Sequence, residues 1–415
     1  MRVLIAGAGL GGLAAALALL RHGIDVDVYE QATALGEVGA GVQLSPNGTR
    51  ILAHLGIADA VAARASEAAA KEIRLWSTGQ RWPLFDLGAR AVERYGSPYW
   101  TLYRPDLIQA LADGIRREKP GAIHLAARIA GFHQDQRQAT LHLEDGRRIS
   151  ADALVGADGI HSRIRATLFG PADATFTGLV AWRGVIPATR LPPHLTASVG
   201  VNWVGPGRHV IHYPLRRGEL VNFVGIVERH DWTVESWTAQ GTQAELAADF
   251  PGWHADIHTL IRAIDTPHKW ALKLRPPLAA WSQGRVTLLG DACHPTLPML
   301  AQGAVQALED GLVLARALTQ IPSIPAALLS YEATRRDRTA RVIQGSAENA
   351  RRFHDPSLAT AAGAAAYVAR EWAEPRVEQR YDWLFRYQAD TEPLASTPAW
   401  QSRHITSAQS DLPTP

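Results

Sequence analysis

The chain has one cysteine, Cys293, in 415 residues. A single thiol excludes an internal disulfide. The clustered Cys and His of a zinc site are missing too, which fits a reducing compartment, so a cytoplasmic protein with no metal is expected. Charge of one sign is equally scarce: the formal net charge is +2, with 20% charged residues. That balance gives no electrostatic case for nucleic acid or an acidic membrane surface, and no basic run carries interleaved aromatics. No apolar run approaches the roughly 20 residues needed to span a bilayer. The N-terminal MRVLIAGAGLGGLAAALALL does imitate a secretory signal, with one positive charge and an apolar run, but its glycines point elsewhere. Internal repeats and low-complexity arrays are absent as well.

What is present is a globular composition, 47% hydrophobic, in a chain long enough for two domains or for one large domain carrying an insertion. RVLIA (residues 2–6) reads as a buried strand, LAAALALL (13–20) as a helix stopped by Arg21-His22-Gly23, and IDVDVY (24–29) as a second strand. This is a βαβ opening, and ADALVGA (151–157) and RVTLL (285–289) extend the same parallel sheet. Residues from about 175 to 271 alternate with period 2 or are aromatic-rich, including HVIHYPLRRGELVNFVGIVE and DWTVESW, and predict a mostly antiparallel sheet inserted into the first domain. Residues 72–100 are expected to add strands to it. Residues 304–318 and 326–353 predict long helices, and the basic run RRDRTAR in the second reads as a solvated face.

Between strand and first helix lies Gly7-Ala8-Gly9-Leu10-Gly11-Gly12, a G-x-G-x-x-G in the context that the dinucleotide fold requires. Gly7 permits the tight turn, Gly9 lets a pyrophosphate approach the backbone, and Gly12 allows the helix to pack closely on the sheet. The helix N-terminus offers free N–H groups to the phosphates, and Glu30 at the end of the second strand can accept ribose hydroxyls. NAD and FAD are not distinguished by this loop.

Two further motifs distinguish them. Gly156-Ala157-Asp158-Gly159-Ile160-His161-Ser162-Arg163-Ile164-Arg165 resembles the DG motif of class A flavoprotein aromatic hydroxylases, and Gly290-Asp291-Ala292-Cys293-His294-Pro295 resembles their GD motif. The resemblance covers about residues 1–350. It implies an α/β fold: an FAD-binding, Rossmann-like domain of the GR2 type, with an inserted, mostly antiparallel substrate domain and C-terminal helices. The division expected is FAD-binding pieces at 1–71, 101–174 and 276–345, substrate-domain strands at 72–100, a substrate-binding sheet at 175–275, a helical region at 346–391 and a loose tail at 392–415.

The resemblance also implies that Asp291 contacts the flavin ribityl chain, that Asp158 organises FAD and the path of the nicotinamide cofactor, and that Arg104, in Tyr-Arg-Pro-Asp-Leu, lies near the FAD phosphates and ribityl chain. A hydroxyl-rich chain suits a carboxylate acceptor and a diphosphate suits an arginine. The segment from Pro298 leads into the long helix, which places Gln302, Gly303 and Ala304 at a positive N-terminus beside the reacting ring. Cys293 then reads as a small buried filler and His294-Pro295 as a turn.

The reaction implied uses NADH or NADPH to reduce FAD, then O2 to form a flavin C4a-hydroperoxide that attacks an electron-rich aromatic ring. A small aromatic acid is the expected partner, bound by a monomer or homodimer. A ring activated as phenolate calls for a group that takes its proton, and His209 and Tyr213 are the candidates. They lie four apart on one face of a strand, about 13 Å between Cα atoms when fully extended, with His212 on the other face. This His-x-x-x-Tyr is similar to that of 3-hydroxybenzoate 6-hydroxylases, and Gln302 in LAQGA matches their substrate-side glutamine. It is also similar to 6-hydroxynicotinate 3-monooxygenases, which tend to carry a histidine where this chain has Gln43. Salicylate hydroxylases share the glycine segments but usually lack the tyrosine. The expectation is para-hydroxylation of 3-hydroxybenzoate to 2,5-dihydroxybenzoate, with decarboxylative hydroxylation of salicylate or 6-hydroxynicotinate as the alternative. Two rivals remain: a flavin halogenase, whose W-x-W-x-I-P fails at Gly184, and a nucleotide-binding module without turnover, which would need only the first motif.

Overall fold

The computed structural model describes residues 1–36, 39–232 and 239–396. The strand Arg2–Ala6 carries no polar side chain after Arg2, and Val3, Leu4, Ile5 and Ala6 are completely buried, as suits a parallel strand covered on both faces. It pairs in parallel with Asp25–Tyr29 on one side and Ala153–Gly156 on the other. The full order across this six-stranded sheet is 282–283, 286–288, 153–156, 2–6, 25–29, 123–124. The chain leaves the first strand toward one edge and returns later on the opposite side, so a crevice opens between the carboxyl ends of Arg2–Ala6 and Ala153–Gly156.

Helix Leu10–Arg21 and helix Gly303–Gln320 cover this sheet. They approach so closely that a Cβ on Gly311 would lie 2.8 Å from the backbone nitrogen of Ala15. Helix Ile324–Phe353 packs on the second of these. Its basic run is the solvated face expected only in part: Arg336, Asp337 and Arg341 keep solvent contact, but Arg335 is completely buried and Arg338 nearly so, because Glu309 and Asp310 of helix Gly303–Gln320 face them.

The second large sheet has seven strands in the order 268–274, 175–187, 220–228, 208–215, 199–205, 70–75, 81–86. All neighbours are antiparallel except 70–75 with 199–205. One face buries Trp182, Trp203, Val210 and Phe223 beneath helices Gln243–Ala248 and Ala255–Arg262. Burying side chains of this size contributes about 1.5–3 kcal/mol each. The other face, with Ile73, Leu75, Val204 and Ile226, packs on Leu297, Met299 and Phe353. Of the strands expected within 72–100, Ala70–Leu75 and Arg81–Asp86 join this sheet, whereas Trp100–Tyr103 pairs with Gly41–Leu44 and Ser66–Glu67 in a separate three-stranded sheet.

DWTVESW lies largely outside the described residues, as does the expected tail beyond residue 396. The tail's first residues are not loose: Ala395 accepts from Ser330 Oγ at 2.7 Å and donates its N–H to Thr334 Oγ1 at 2.9 Å, which docks it on helix Ile324–Phe353.

Candidate active site

The glycine loop occupies the crevice at the sheet's switch point. Gly7 has φ +103°, and a Cβ there would lie 2.5 Å from the carbonyl oxygen of Ala157, so the first and second glycine motifs touch at this residue. A Cβ on Gly12 would lie 2.0 Å from Gly7 O. Gly9 meets nothing within 4 Å, which leaves a bare backbone facing open space at the N-terminus of Leu10–Arg21. That helix has no side-chain cap and no acidic residue in its first turn. Glu30 accepts the N–H of Ala8 at 2.8 Å and of Ala32 at 2.9 Å, and so holds its carboxylate against the loop. The cradle fits a diphosphate followed by a ribose.

Asp158 binds its own turn: it accepts from Ser162 Oγ (2.5 Å) and from the N–H groups of Arg163 (2.7 Å) and Ile164 (3.2 Å), at the start of helix Arg163–Phe169. Its contribution visible here is to shape the segment that meets Gly7. Asp291, in contrast, keeps exposed surface. Dense packing on its remaining sides raises its carboxyl above the ordinary range, while the charges of His294 and Arg104 pull it down, which places Arg104 in the same neighbourhood.

The turn that presents Asp291 is held from behind. Asp310 accepts from Gly290 N at 3.1 Å and contacts His294 Nε2 at 2.5 Å, and its other oxygen receives Arg335 Nε at 2.7 Å. Burial alone would raise the Asp310 carboxyl, but His294 and Arg335 more than offset it and hold it at about 2. Cys293 is buried, with its Sγ against Gly290 O at 3.3 Å, and burial pushes its thiol well above the ordinary range. Inert packing is therefore its role.

Helix Gly303–Gln320 begins without a side-chain cap or first-turn acid, and Gly303 and Ala304 are half-buried. An uncapped N-terminus of 18 residues suits the negative charge of a reduced isoalloxazine. Gln302 is the N-cap residue, and the expectation that its amide lies against substrate meets a side chain already engaged. It is 1% exposed, donates to Ser45 Oγ at 2.8 Å and accepts from Asn47 Nδ2 at 3.2 Å and Gln306 Nε2 at 3.3 Å.

On the sheet face opposite the helices, His209, Ile211 and Tyr213 alternate as expected, while His212 lies on the helix-covered face and burial lowers its imidazole to about 3. Tyr213 clusters with Ile211 and the half-buried Val185 and Tyr103. Its ring lies 2.7 Å from where a Cβ on Gly41 would stand, and it shares a hydrogen bond with Gln43. His209 sits deeper, against Phe353. Its Nδ1 contacts His354 Nε2 at 2.7 Å, and His354 Nδ1 contacts Glu228 Oε1 at 2.8 Å. His209 Nε2 has no partner among the described residues. Burial, and then the neighbouring His354, holds the His209 imidazole well below its ordinary range, so it is neutral at pH 7. Neither His354 nor Glu228 was expected from the sequence, since each lies in a different element from His209.

A switch-point cradle for a dinucleotide, an exposed carboxylate on the second glycine turn and an uncapped N-terminus on the helix that follows it fit a flavin-dependent oxidoreductase. The chain belongs to the FAD binding domain family, whose model matches residues 1–346. It is 39% identical over 396 residues to a 3-amino-4-hydroxybenzoate 2-monooxygenase of Streptomyces platensis, covering 95% of this chain and 98% of the relative. To a 3-hydroxybenzoate 6-hydroxylase of Polaromonas naphthalenivorans it is 36% identical, covering 92% and 95%. The crystal structure of Klebsiella pneumoniae HpxO with FAD and uric acid superposes with a TM-score of 0.79 at 29% identity, covering 95% of this chain and 98% of the other. The protein is a class A FAD-dependent aromatic monooxygenase that draws on NAD(P)H and O2. The non-catalytic module is thereby set aside. The halogenase pattern finds no room either, because a Cβ on Gly184 would lie 2.6 Å from Ile264. No helix among the described residues is long and apolar enough to cross a membrane.

Proposed function

We propose that the chain hydroxylates a benzoate carrying an electron-donating oxygen or nitrogen at C3, with 3-hydroxybenzoate attacked at C6 as the first reading. The overall conversion consumes one O2, one NAD(P)H and one proton, and yields the ring hydroxyl, water and NAD(P)+. Bound FAD supplies reduction by NAD(P)H and activation of O2. Gly7, Gly9, Gly12, Glu30 and Arg104 would hold its phosphates and ribose, Asp291 its ribityl chain, and the N–H groups at Gly303 and Ala304 its ring.

The observation that carries the substrate reading is the unpartnered, neutral His209 Nε2 at the inner end of a chain that reaches solvent. One pair of tautomers satisfies both contacts: His354 donates from Nδ1 to Glu228 and accepts at Nε2 from His209 Nδ1–H, leaving a lone pair on His209 Nε2. That atom accepts the proton of the substrate hydroxyl. The Nδ1 proton of His209 passes to His354 Nε2, and the Nδ1 proton of His354 passes to Glu228, whose side chain is 56% exposed. Tyr213, four residues along the same face, would line the other end of the substrate site.

A second reading, hydroxylation of 3-amino-4-hydroxybenzoate at C2, is favoured by the 39% relative. Both substrates are attacked ortho or para to a donor at C3. The test is NADH oxidation with 3-hydroxybenzoate, 3-amino-4-hydroxybenzoate, salicylate and 6-hydroxynicotinate, with the product identified and peroxide measured. Coupled turnover of a C3-substituted benzoate supports the proposal. Coupled turnover of salicylate or 6-hydroxynicotinate alone overturns it.

A further inference from the structure

Lys71 stands on strand Ala70–Leu75, on the same face of the seven-stranded sheet as Ile73 and Leu75. It is only 9% exposed. Its stem lies over Gly200, where a Cβ would stand 3.6 Å from Lys71 Cγ, so the neighbouring strand leaves the space the lysine fills. Its ammonium donates to Gln43 Oε1 at 3.4 Å, and Tyr99 O–H donates to the same oxygen at 2.7 Å. Gln43 also meets Tyr213. Two residues further on, Ser45 bonds Gln302 at the start of helix Gly303–Gln320. A cation, two phenols and an amide thus share one buried cluster between the sheet face of Tyr213 and the helix N-terminus assigned to the flavin ring.

No acidic side chain among the described residues pairs with Lys71. An ammonium removed from water costs several kcal/mol unless an anion compensates it, and one amide oxygen at 3.4 Å compensates little. Burial accordingly lowers this ammonium to about 8, still charged for the most part at neutral pH. The neighbouring phenols do not supply the anion either: burial raises both Tyr99 and Tyr213 above their ordinary range. The cluster therefore holds one positive charge and only neutral partners.

We propose that Lys71 is the anchor for the anionic group of the substrate, pairing with the carboxylate of the aromatic acid and selecting acids over neutral phenols of the same shape. The assignment rests on the aromatic-acid function proposed above. It adds what His209 and Tyr213 cannot give, since neither carries a positive charge at neutral pH. With the carboxylate on Lys71, Gln43 and Tyr99 supply flanking polar contacts.

The test compares 3-hydroxybenzoate with 3-hydroxybenzamide, which keeps the ring and hydroxyl but lacks the charge. Binding to the FAD-loaded protein is read without NADH, from the change in flavin absorbance. Wild type is expected to prefer the acid by about ten- to a hundredfold, the range of a charge-assisted bond. Lys71→Met should lose that preference while binding the amide as wild type does, and Lys71→Arg should keep much of it. Unchanged amide binding reports an intact fold in each variant. A Lys71→Met protein that retains the acid preference, or loses acid and amide equally, overturns the anchor. If wild type shows no flavin response to any aromatic acid, the function proposed above fails and the anchor with it; that failure appears in the unmutated protein and so is told apart.

Discussion

Replacing Arg335 with Met would remove the cation from a completely buried cluster. Arg335 Nη1 lies 2.6 Å from Glu309 Oε2 as a charge contact without hydrogen-bond alignment, its Nε donates to Asp310 Oδ1 at 2.7 Å, and its Nη2 donates to Gln306 Oε1 at 2.7 Å. Glu309 would keep Arg338 and Asn47, but Asp310 would be left with His294 and one backbone N–H. Breaking a buried pair costs about 3–5 kcal/mol because a charge stays behind, and the retained Arg338 puts the expectation near the lower end. The pH dependence gives an independent check. In wild type the Asp310 carboxyl falls from 3.8 to about 2 on folding, worth about 2 kcal/mol, present above pH 3.8 and lost as pH falls toward 2. Without Arg335 only His294 offsets burial, so the folded carboxyl is lowered less and part of that stabilisation above pH 3.8 is lost. Urea unfolding followed by tryptophan fluorescence should therefore show a deficit at pH 7 and at pH 5 that shrinks as pH falls below 3.8. Because Asp310 also fixes Gly290 and His294, FAD should bind more weakly as well. A variant within 1 kcal/mol of wild type at both pH values would refute the reasoning.

Gly12→Ala and Gly9→Ala should fail differently. The first drives a methyl to 2.0 Å from Gly7 O and should yield little folded protein, whereas the second meets no protein atom and should fold normally yet retain FAD poorly, read by circular dichroism and flavin content. Glu228→Gln cannot take the proton delivered by His354, so hydroxylation should slow by about tenfold or more at unchanged flavin reduction, measured by stopped flow. His209→Asn should slow it further, by about a hundredfold, with peroxide released instead of product; equal rates and coupling for wild type and both variants would remove His209 from proton transfer. Lys71 also predicts a pH signature in the apoprotein. Its folded pKa of about 8 lies below the unfolded 10.5, so the unfolded chain binds more protons between these values and stability rises with pH there, by about 3 kcal/mol. Urea midpoints from pH 7.5 to 10.5 should show that rise in wild type and lack it in Lys71→Met.

How much of this could be read from the sequence depends on how local each constraint is. Gly7, Gly9, Gly12 and Glu30 were legible because a tight turn, a bare backbone and a strand-end carboxylate are requirements met within 30 residues of chain. The helices 303–320 and 324–353 were legible from periodicity to within three residues at each end. Arg335 was misjudged, because a charged residue on a helix looks solvated until a second helix presents Glu309 and Asp310 to it. Lys71 raised no signal in KEIRLW, where alternating charged and apolar residues describe any half-exposed strand equally well; only Gly200 and Gln43, from distant segments, show that it faces inward. His354 and Gln302 follow the same rule, since their partners lie 145 and 257 residues away.

The same locality separates the two halves of the chemistry. Cofactor binding rests on backbone shape, which short glycine motifs encode. The substrate choice proposed above rests on side chains brought together from Gly41–Leu44, Ala70–Leu75, Arg208–Leu215 and the end of helix Ile324–Phe353. Placing Gln at position 43 beside Lys71 gives this chain a neutral acceptor next to a cation. A histidine there could itself become charged beside Lys71 and would raise the cost of keeping the lysine protonated. An anion on Lys71 would offset that repulsion and favour the charged imidazole, so Gln43→His should bind 3-hydroxybenzoate increasingly better than 3-hydroxybenzamide as pH falls toward 6. A loss that is equal for the two ligands and independent of pH would mean that Gln43 acts on substrate by shape alone.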